Sequence, residues 1–228
     1  MYKRQLPYFQ DFPNKEKFEF VLLSFESKEN KLSKNEKDKV YAQLKQENIL
    51  WYRTRWRSGR FKLVKKIIDF SIGISYSLFL IYKHRVNFIY SEGFPGSIFG
   101  HYLSILTQRK HIIHTFEPHA EYMVESHIWK ESDWETILLR KFMSKLVQKA
   151  YKVMTATKAY KKEIASWGID EHKIMLVPSC VDTQLFYFDE NQRNDIRTKL
   201  NIEKNTKVFV YLGKFGGCLL YTSDAADD

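Results

Sequence analysis

A chain of 228 residues with 44% hydrophobic and 28% charged side chains can bury a core in one large domain or two small ones, which argues against global disorder. Its formal charge of +10 at pH 7 suits an anionic partner: a phosphorylated substrate, an acidic membrane surface or a nucleic acid. Two cysteines, Cys180 and Cys218, supply neither a disulfide framework nor metal-ligand spacing, so a reducing compartment is expected.

Residues 18–25 (FEFVLLSF) form a nearly continuous apolar run of strand length, as in strands buried on both faces of a parallel sheet. Ser33-Lys34-Asn35-Glu36 has capping-box spacing and opens a helix carrying Val40, Tyr41 and Leu44. A short strand at 49–52 leads into a basic loop with Arg53, Arg55, Arg57 and Arg60. A long helix is predicted over 61–83. Its apolar stretch, 67–82, is short for a bilayer span and is interrupted by Asp69, so it reads as a buried or membrane-leaning helix.

A strand at 87–90, a helix at 96–106 and a strand at 111–115 follow. Residues 116–131 read as a polar and aromatic loop. Ser132-Asp133-Trp134-Glu135 is a second capping box, opening a helix with Trp134, Leu138, Phe142 and Leu146 on one row and Lys141, Lys145 and Lys149 on another. The lysine row reads as a solvated face. A strand at 151–156, a helix at 158–167 closed by Gly168, and a strand at 173–177 come next. Beyond a turn-rich connection, a helix at 189–200 is expected to turn Ile196 and Leu200 inward. A strand at 207–212 leads to Gly213, Gly216 and Gly217. The alternation predicts βαβ units and a doubly wound, mainly parallel sheet, six strands of which belong to one layer.

Ligands of such sheets bind beyond the carboxyl ends of strands. Three ends carry suitable residues. Ser91-Glu92-Gly93-Phe94-Pro95-Gly96 combines a tight turn with a helix N-terminus. His114-Thr115-Phe116-Glu117-Pro118-His119 brings two imidazoles and a carboxylate together for sugar hydroxyls or proton transfer, with no strong metal-binding spacing. Tyr211-Leu212-Gly213-Lys214-Phe215-Gly216-Gly217 offers glycines and a lysine to a phosphate. Each of these also reads as an ordinary turn or a self-satisfied polar loop.

The two ends read differently. Met1-Tyr2-Lys3-Arg4-Gln5 can be written GTG-TAT-AAG-AGA-CAG, and the reverse complement, read one base in, encodes Cys-Leu-Leu-Tyr-Thr, the residues at 218–222. The string resembles a transposase end sequence used as a sequencing adapter, whose extension reads Ser-Asp-Ala-Ala-Asp, as at 223–227. Residues 1–5 and 218–228 are therefore expected to be adapter-derived, with the natural termini outside the chain.

Pro178-Ser179-Cys180-Val181-Asp182, followed by Phe186-Tyr187-Phe188, resembles the Pro-x-Gly-Val-Asp…Phe segment that joins the two domains of family 4 retaining glycosyltransferases, which have the GT-B fold. Trp167-Gly168-Ile169, Lys173-Ile174 and Val177-Pro178 resemble that family's approach to the segment. Residues 208–212 with Gly213-Lys214 resemble its first donor-domain strand and phosphate-side loop, and Leu6-Pro7-Tyr8-Phe9 with residues 22–26 resemble early parts of the acceptor domain. The resemblance covers nearly all of residues 6–217. It implies an acceptor-side Rossmann-like domain at 6–185 and a linker with the start of the donor-binding domain at 186–217.

By the same resemblance, Gly213, Lys214, Gly216 and Gly217 face the donor diphosphate, and Ser91, Glu92 and Gly93 meet the acceptor. Glu117 stands where many members have a histidine beside the transferred sugar, with His114 and His119 nearby as the catalytic group. Cys180 replaces a common glycine, so positive φ is disfavoured there. The implied reaction moves a hexose from a nucleotide sugar to a glycan or lipid-linked acceptor, in cell-envelope polysaccharide synthesis, with no metal and no cofactor beyond the donor substrate. The family's first strand with its glycine loop and its donor-domain Glu-x7-Glu segment are not in the chain, which is therefore expected to be inactive alone. A cytoplasmic location with peripheral contact to an anionic membrane is expected, and no nucleic acid partner. A different nucleotide-binding α/β protein would carry a glycine fingerprint after its first strand. A basic nucleic-acid module would show one continuous basic face.

Overall fold

The computed structural model describes residues 17–26, 32–57, 62–116, 118–179, 181, 183 and 186–210. Strands and helices alternate: β1 (Phe20–Glu26), α1 (Lys34–Gln46), β2 (Ile49–Arg55), α2 (Lys62–Lys83), β3 (Phe88–Glu92), α3 (Gly93–Thr107), β4 (Lys110–Thr115), α4 (His119–Glu125), α5 (Trp134–Lys149), β5 (Lys152–Thr155), α6 (Lys158–Ser166), β6 (Ile174–Leu176) and α7 (Glu190–Lys199). This is a mixed α/β fold with parallel pairing. β1 and β2 run in parallel from Phe20 opposite Ile49 to Glu26 opposite Arg55, and β5 and β6 from Val153 opposite Ile174 to Thr155 opposite Leu176. Among the described residues the strands form a two-stranded sheet, β1-β2, and a four-stranded sheet in the order β3-β4-β5-β6, rather than the single six-stranded sheet expected. Helices between successive strands suit parallel crossovers.

The chain divides into two compact units, one within Met1–Ser91 and Pro95–Ile112 and the other within Glu92–Phe94 and Ile113–Asp228. In the first, α1 begins with the predicted capping box: the Ser33 hydroxyl accepts from Glu36 N–H, and the Glu36 carboxylate accepts from Ser33 N–H at 2.8 Å. Leu44, Ile49 and Trp51 form a buried cluster with Phe20, Leu22, Leu32 and Val40 packed on it. The Trp51 indole, buried at that cluster, donates to Ser24 Oγ at 2.9 Å.

β2 is longer than predicted and absorbs part of the expected basic loop. Arg53 and Arg55 are strand residues, and Arg53 lies 3.6 Å from the Glu26 carboxylate and 5.0 Å over the Trp51 ring. Arg57 is drawn inward: its N–H donates to Asp69 Oδ2 at 2.5 Å and its guanidinium pairs with Asp69 Oδ1. Asp69, in α2, is only 1% exposed. Arg60 lies outside the described residues. A second cluster, Ile81, Ile89 and Leu103, ties α2, β3 and α3 together. α2 approaches its neighbours closely at Gly73, where a Cβ would sit 2.7 Å from the Phe25 ring and 3.0 Å from that of Phe99.

In the second unit, the expected loop at 116–131 contains α4, a two-turn helix with Pro118 at its N-cap. The predicted second capping box does not form, and the helix starts one residue later than expected. Asp133, not Ser132, caps α5, and its carboxylate accepts from Lys130 N–H at 2.8 Å instead of from the helix. The buried stripe of α5 is Thr136, Leu139, Met143, Leu146 and Val147; of the predicted row, Trp134 and Leu138 are exposed. Lys141, Lys145 and Lys149 face solvent as predicted. α6 is capped by the Thr157 hydroxyl, which accepts from Tyr160 N–H at 3.1 Å, and Gly168 takes φ +80° just beyond it.

α7 starts at an Asp189 cap, but Ile196 and Leu200 are exposed, not inward. Its remaining residues are polar, so it has too little apolar stripe to bury. Residues 207–210 form no strand and pair with no described strand. Phe209 is 94% exposed. The rest of that predicted strand, 211–212, lies outside the described residues.

Candidate functional site

β3 passes into α3 without a loop: the strand ends at Glu92 and the helix starts at Gly93. Gly93 takes φ +69°, a left-handed conformation that costs an L-residue about 1–2 kcal/mol, so glycine is favoured at this junction. Ser91 is buried, and its Oγ lies 2.7 Å from His111 Nε2 of β4. Ser91 thus points toward an internal partner. Glu92 and Gly93 belong with the second unit.

His111 is the partner that sequence reasoning missed. Gly100 of α3 lies against its ring so closely that a Cβ there would overlap it. Burial first, and the nearby His101 second, push the His111 imidazole down to about 4. The folded state therefore disfavours a proton that the unfolded chain still binds below the ordinary value of 6.5. This contribution to stability is complete above pH 6.5 and is lost as the pH falls through about 4. The urea midpoint of the parent should drop on acidification across that window, and His111→Gln should flatten the drop. An unchanged slope in the variant would remove His111 as the cause.

In the second unit, His114 and Thr115 are buried at the carboxyl end of β4. The His114 ring lies 4.3 Å from that of Phe116. Burial pushes its pKa down, favouring a neutral imidazole suited to hydrogen bonding with an uncharged hydroxyl. Glu117 lies outside the described residues. His119 opens α4, with its ring stacked on Tyr122 at 6.5 Å and edge-on to Trp129 at 6.3 Å. His119, Tyr122 and Trp129 thus form one half-buried aromatic cluster at the start of α4.

α4 is anchored by Arg140 of α5. Its Nε donates to Glu121 at 2.6 Å, and its two terminal nitrogens reach the Glu131 carboxylate at 2.6 and 3.3 Å. The hydrogen bonds and charge of Arg140 lower the Glu131 pKa, and Glu131 and then Glu121 raise that of Arg140. Glu163 of α6 is shifted upward, first by burial and then by the charge of Glu121. The only signal of this network in the sequence is an arginine on a helix otherwise carrying lysines, at the position where a forked donor is useful.

Gly213, Lys214, Gly216 and Gly217, the expected donor-diphosphate residues, lie outside the described residues, as do Cys180 and Asp182 of the interdomain-like segment. Among the described residues, no group of three or more His, Cys, Asp or Glu could hold a metal ion.

No family model and no curated protein matches the chain. Among solved structures, HepE of Anabaena in complex with UDP matches 81% of this chain and 50% of its own, at 12% identity and a TM-score of 0.50. The HepE complex with UDP-glucose matches 79% and 50%, at 12% identity and 0.49. A glycosyltransferase of Rickettsia africae matches 82% and 51%, at 12% identity and 0.46. The first of these likenesses establishes a shared α/β fold, and the chain spans about half the length of the three structures.

Proposed function

We propose that this chain is the acceptor-side part of a GT-B glycosyltransferase, of the retaining family 4 type, that moves a hexose from a nucleotide sugar to a glycan or lipid-linked acceptor in cell-envelope polysaccharide synthesis. The observation that carries this reading is the fold shared with HepE, a protein solved with UDP, over 81% of the chain. The aromatic and imidazole groups at the end of β4 and the start of α4 support it, because they suit a neutral polyhydroxylated ligand. In this reading His119 and Glu117 contact the reacting sugar, the neutral His114 orients a hydroxyl from beneath, and Gly213, Lys214, Gly216 and Gly217 line the donor diphosphate. The reaction takes place on the cytoplasmic side, with peripheral contact to an anionic membrane.

The test compares the 228-residue chain with the protein encoded by the full reading frame of uncut DNA, using radiolabelled UDP-glucose and a panel of other nucleotide hexoses. Transfer or donor hydrolysis is expected from the full-frame protein and none from the 228-residue chain alone. In the full-frame protein, His119→Ala should lower kcat by about 10²-fold or more if its imidazole moves a proton. Transfer by the short chain, or no turnover of any nucleotide hexose by the full-frame protein, would overturn the reading.

A further inference from the structure

The outward face of α2 has the reverse of the usual surface pattern. Ile67, Ile68, Ile72 and Phe79 are all exposed, with Ile67 at 59%, and Ser71 and Ser75 fill the positions between them. α3 continues the apolar surface with exposed Ile105 and Leu106. The two helices adjoin there. Phe70 and Tyr102 meet edge to face at 6.0 Å, and an open groove of about 320 Å³ is lined by Phe70 and Ile74 from α2 and by Tyr102 and Leu106 from α3. Exposed apolar side chains gathered along two adjoining helices of a folded surface mark a contact site.

Charge selects the partner. Between residues 62 and 112 the only acids are Asp69 and Glu92, and Asp69 is buried against Arg57. Exposed Lys66 precedes the apolar stretch, and exposed Lys83 and Arg85 follow it. A second copy docked on this face by a two-fold axis would bring basic flanks toward basic flanks. An anionic bilayer supplies both an apolar layer for the isoleucines and headgroups for the cations. No helix among the described residues is long and apolar enough to cross a membrane. The ion pair from Arg57 also keeps the opposite side of α2 in protein contact.

We infer that the α2–α3 face is a monotopic docking surface for an anionic lipid bilayer. It deepens the membrane contact included in the proposed function, by assigning the surface that makes it. The face enters the lipid headgroup boundary with its isoleucines and Phe79, while Lys83 and Arg85 at its carboxyl end meet the phosphates.

The experiment is sedimentation of the purified 228-residue chain with vesicles of phosphatidylcholine, or of phosphatidylcholine mixed equally with phosphatidylglycerol. Binding to the mixed vesicles is expected to be about tenfold or more tighter than to the neutral ones, since each basic residue near an anionic surface contributes about a fivefold factor. Ile68→Glu/Ile72→Glu should reduce that binding about tenfold or more, and so should Ile105→Glu/Leu106→Glu from the neighbouring helix. Lys141→Glu/Lys145→Glu, on the solvated face of α5, should leave it within about twofold. Circular dichroism and thermal unfolding confirm that each variant is folded. Equal binding to both vesicles, binding to neither, or full binding by both folded α2 and α3 variants would overturn the inference. So would a dimer in analytical ultracentrifugation that the α2 variant dissociates while vesicle binding is absent. Vesicle binding needs no donor sugar, so its failure is separable from failure of the transfer assay.

Discussion

Replacing Arg57 with alanine is expected to destabilise the folded chain by about 3–5 kcal/mol. Asp69 is held inside the first unit by two donors from the same residue: the backbone N–H of Arg57 and its guanidinium. The variant keeps the first and removes the second, leaving a buried carboxylate with its charge largely uncompensated. The remaining backbone hydrogen bond places the expected loss toward the lower end of that range. Removing both charges together, as Arg57→Met/Asp69→Leu, should recover most of the loss, because the cost lies in stranding one buried charge rather than in losing a strongly favourable pair. Urea midpoints at constant m report both effects. A single-variant loss under about 1 kcal/mol would mean that water reaches Asp69 in the folded chain.

Gly100→Val is expected to cost about 1–3 kcal/mol or more, through overpacking. The His111 ring occupies the space that a side chain at position 100 would need, and it is held there by its contact with Ser91 Oγ at 2.7 Å. Accommodating valine requires either a shift of α3 away from β4 or rotation of the imidazole out of its hydrogen bond. Gly96→Ala is the matched control on the same helix. Its Cβ would lie 3.8 Å from Ser91 Cβ, an ordinary contact, so helix propensity should make it neutral or slightly stabilising. Thermal unfolding separates the two, at about 2–4 °C per kcal/mol for a chain of this size. Equal midpoints for the two variants would show that the helix and strand can part without cost.

The legible parts of this fold are those governed by neighbours in sequence. The Ser33–Glu36 box is three residues wide, and its geometry follows from the local backbone. The aromatic run before Glu26 and the alternation of strands with helices are equally local. The second box failed because two contacts from Lys130 compete for it: its N–H binds Asp133, and its carbonyl accepts from the Thr136 hydroxyl at 2.9 Å. α4 escaped notice because seven residues after a proline carry too little periodicity to outweigh polar loop composition.

Of the site, the residue types at the end of β4 were legible, but their surroundings were not. Ser91 looked like a loop hydroxyl offered to a ligand. Its partner lies twenty residues on, and the strand register that brings His111 beside it is a tertiary property. Arg140 reaches Glu121 and Glu131 across separations of nineteen and nine residues, which no motif spacing encodes.

That guanidinium has a further consequence. A helix of seven residues without a side-chain cap does not sustain itself in water, so α4 borrows its order from elsewhere. The aim of His119 is thus inherited from a residue in α5. Lysine at position 140 would preserve the charge yet lose the fork that grips two carboxylates at once, letting the imidazole swing while every group around it stayed chemically intact. Under the proposed function, selectivity at this end of the sheet can therefore drift through the tether alone.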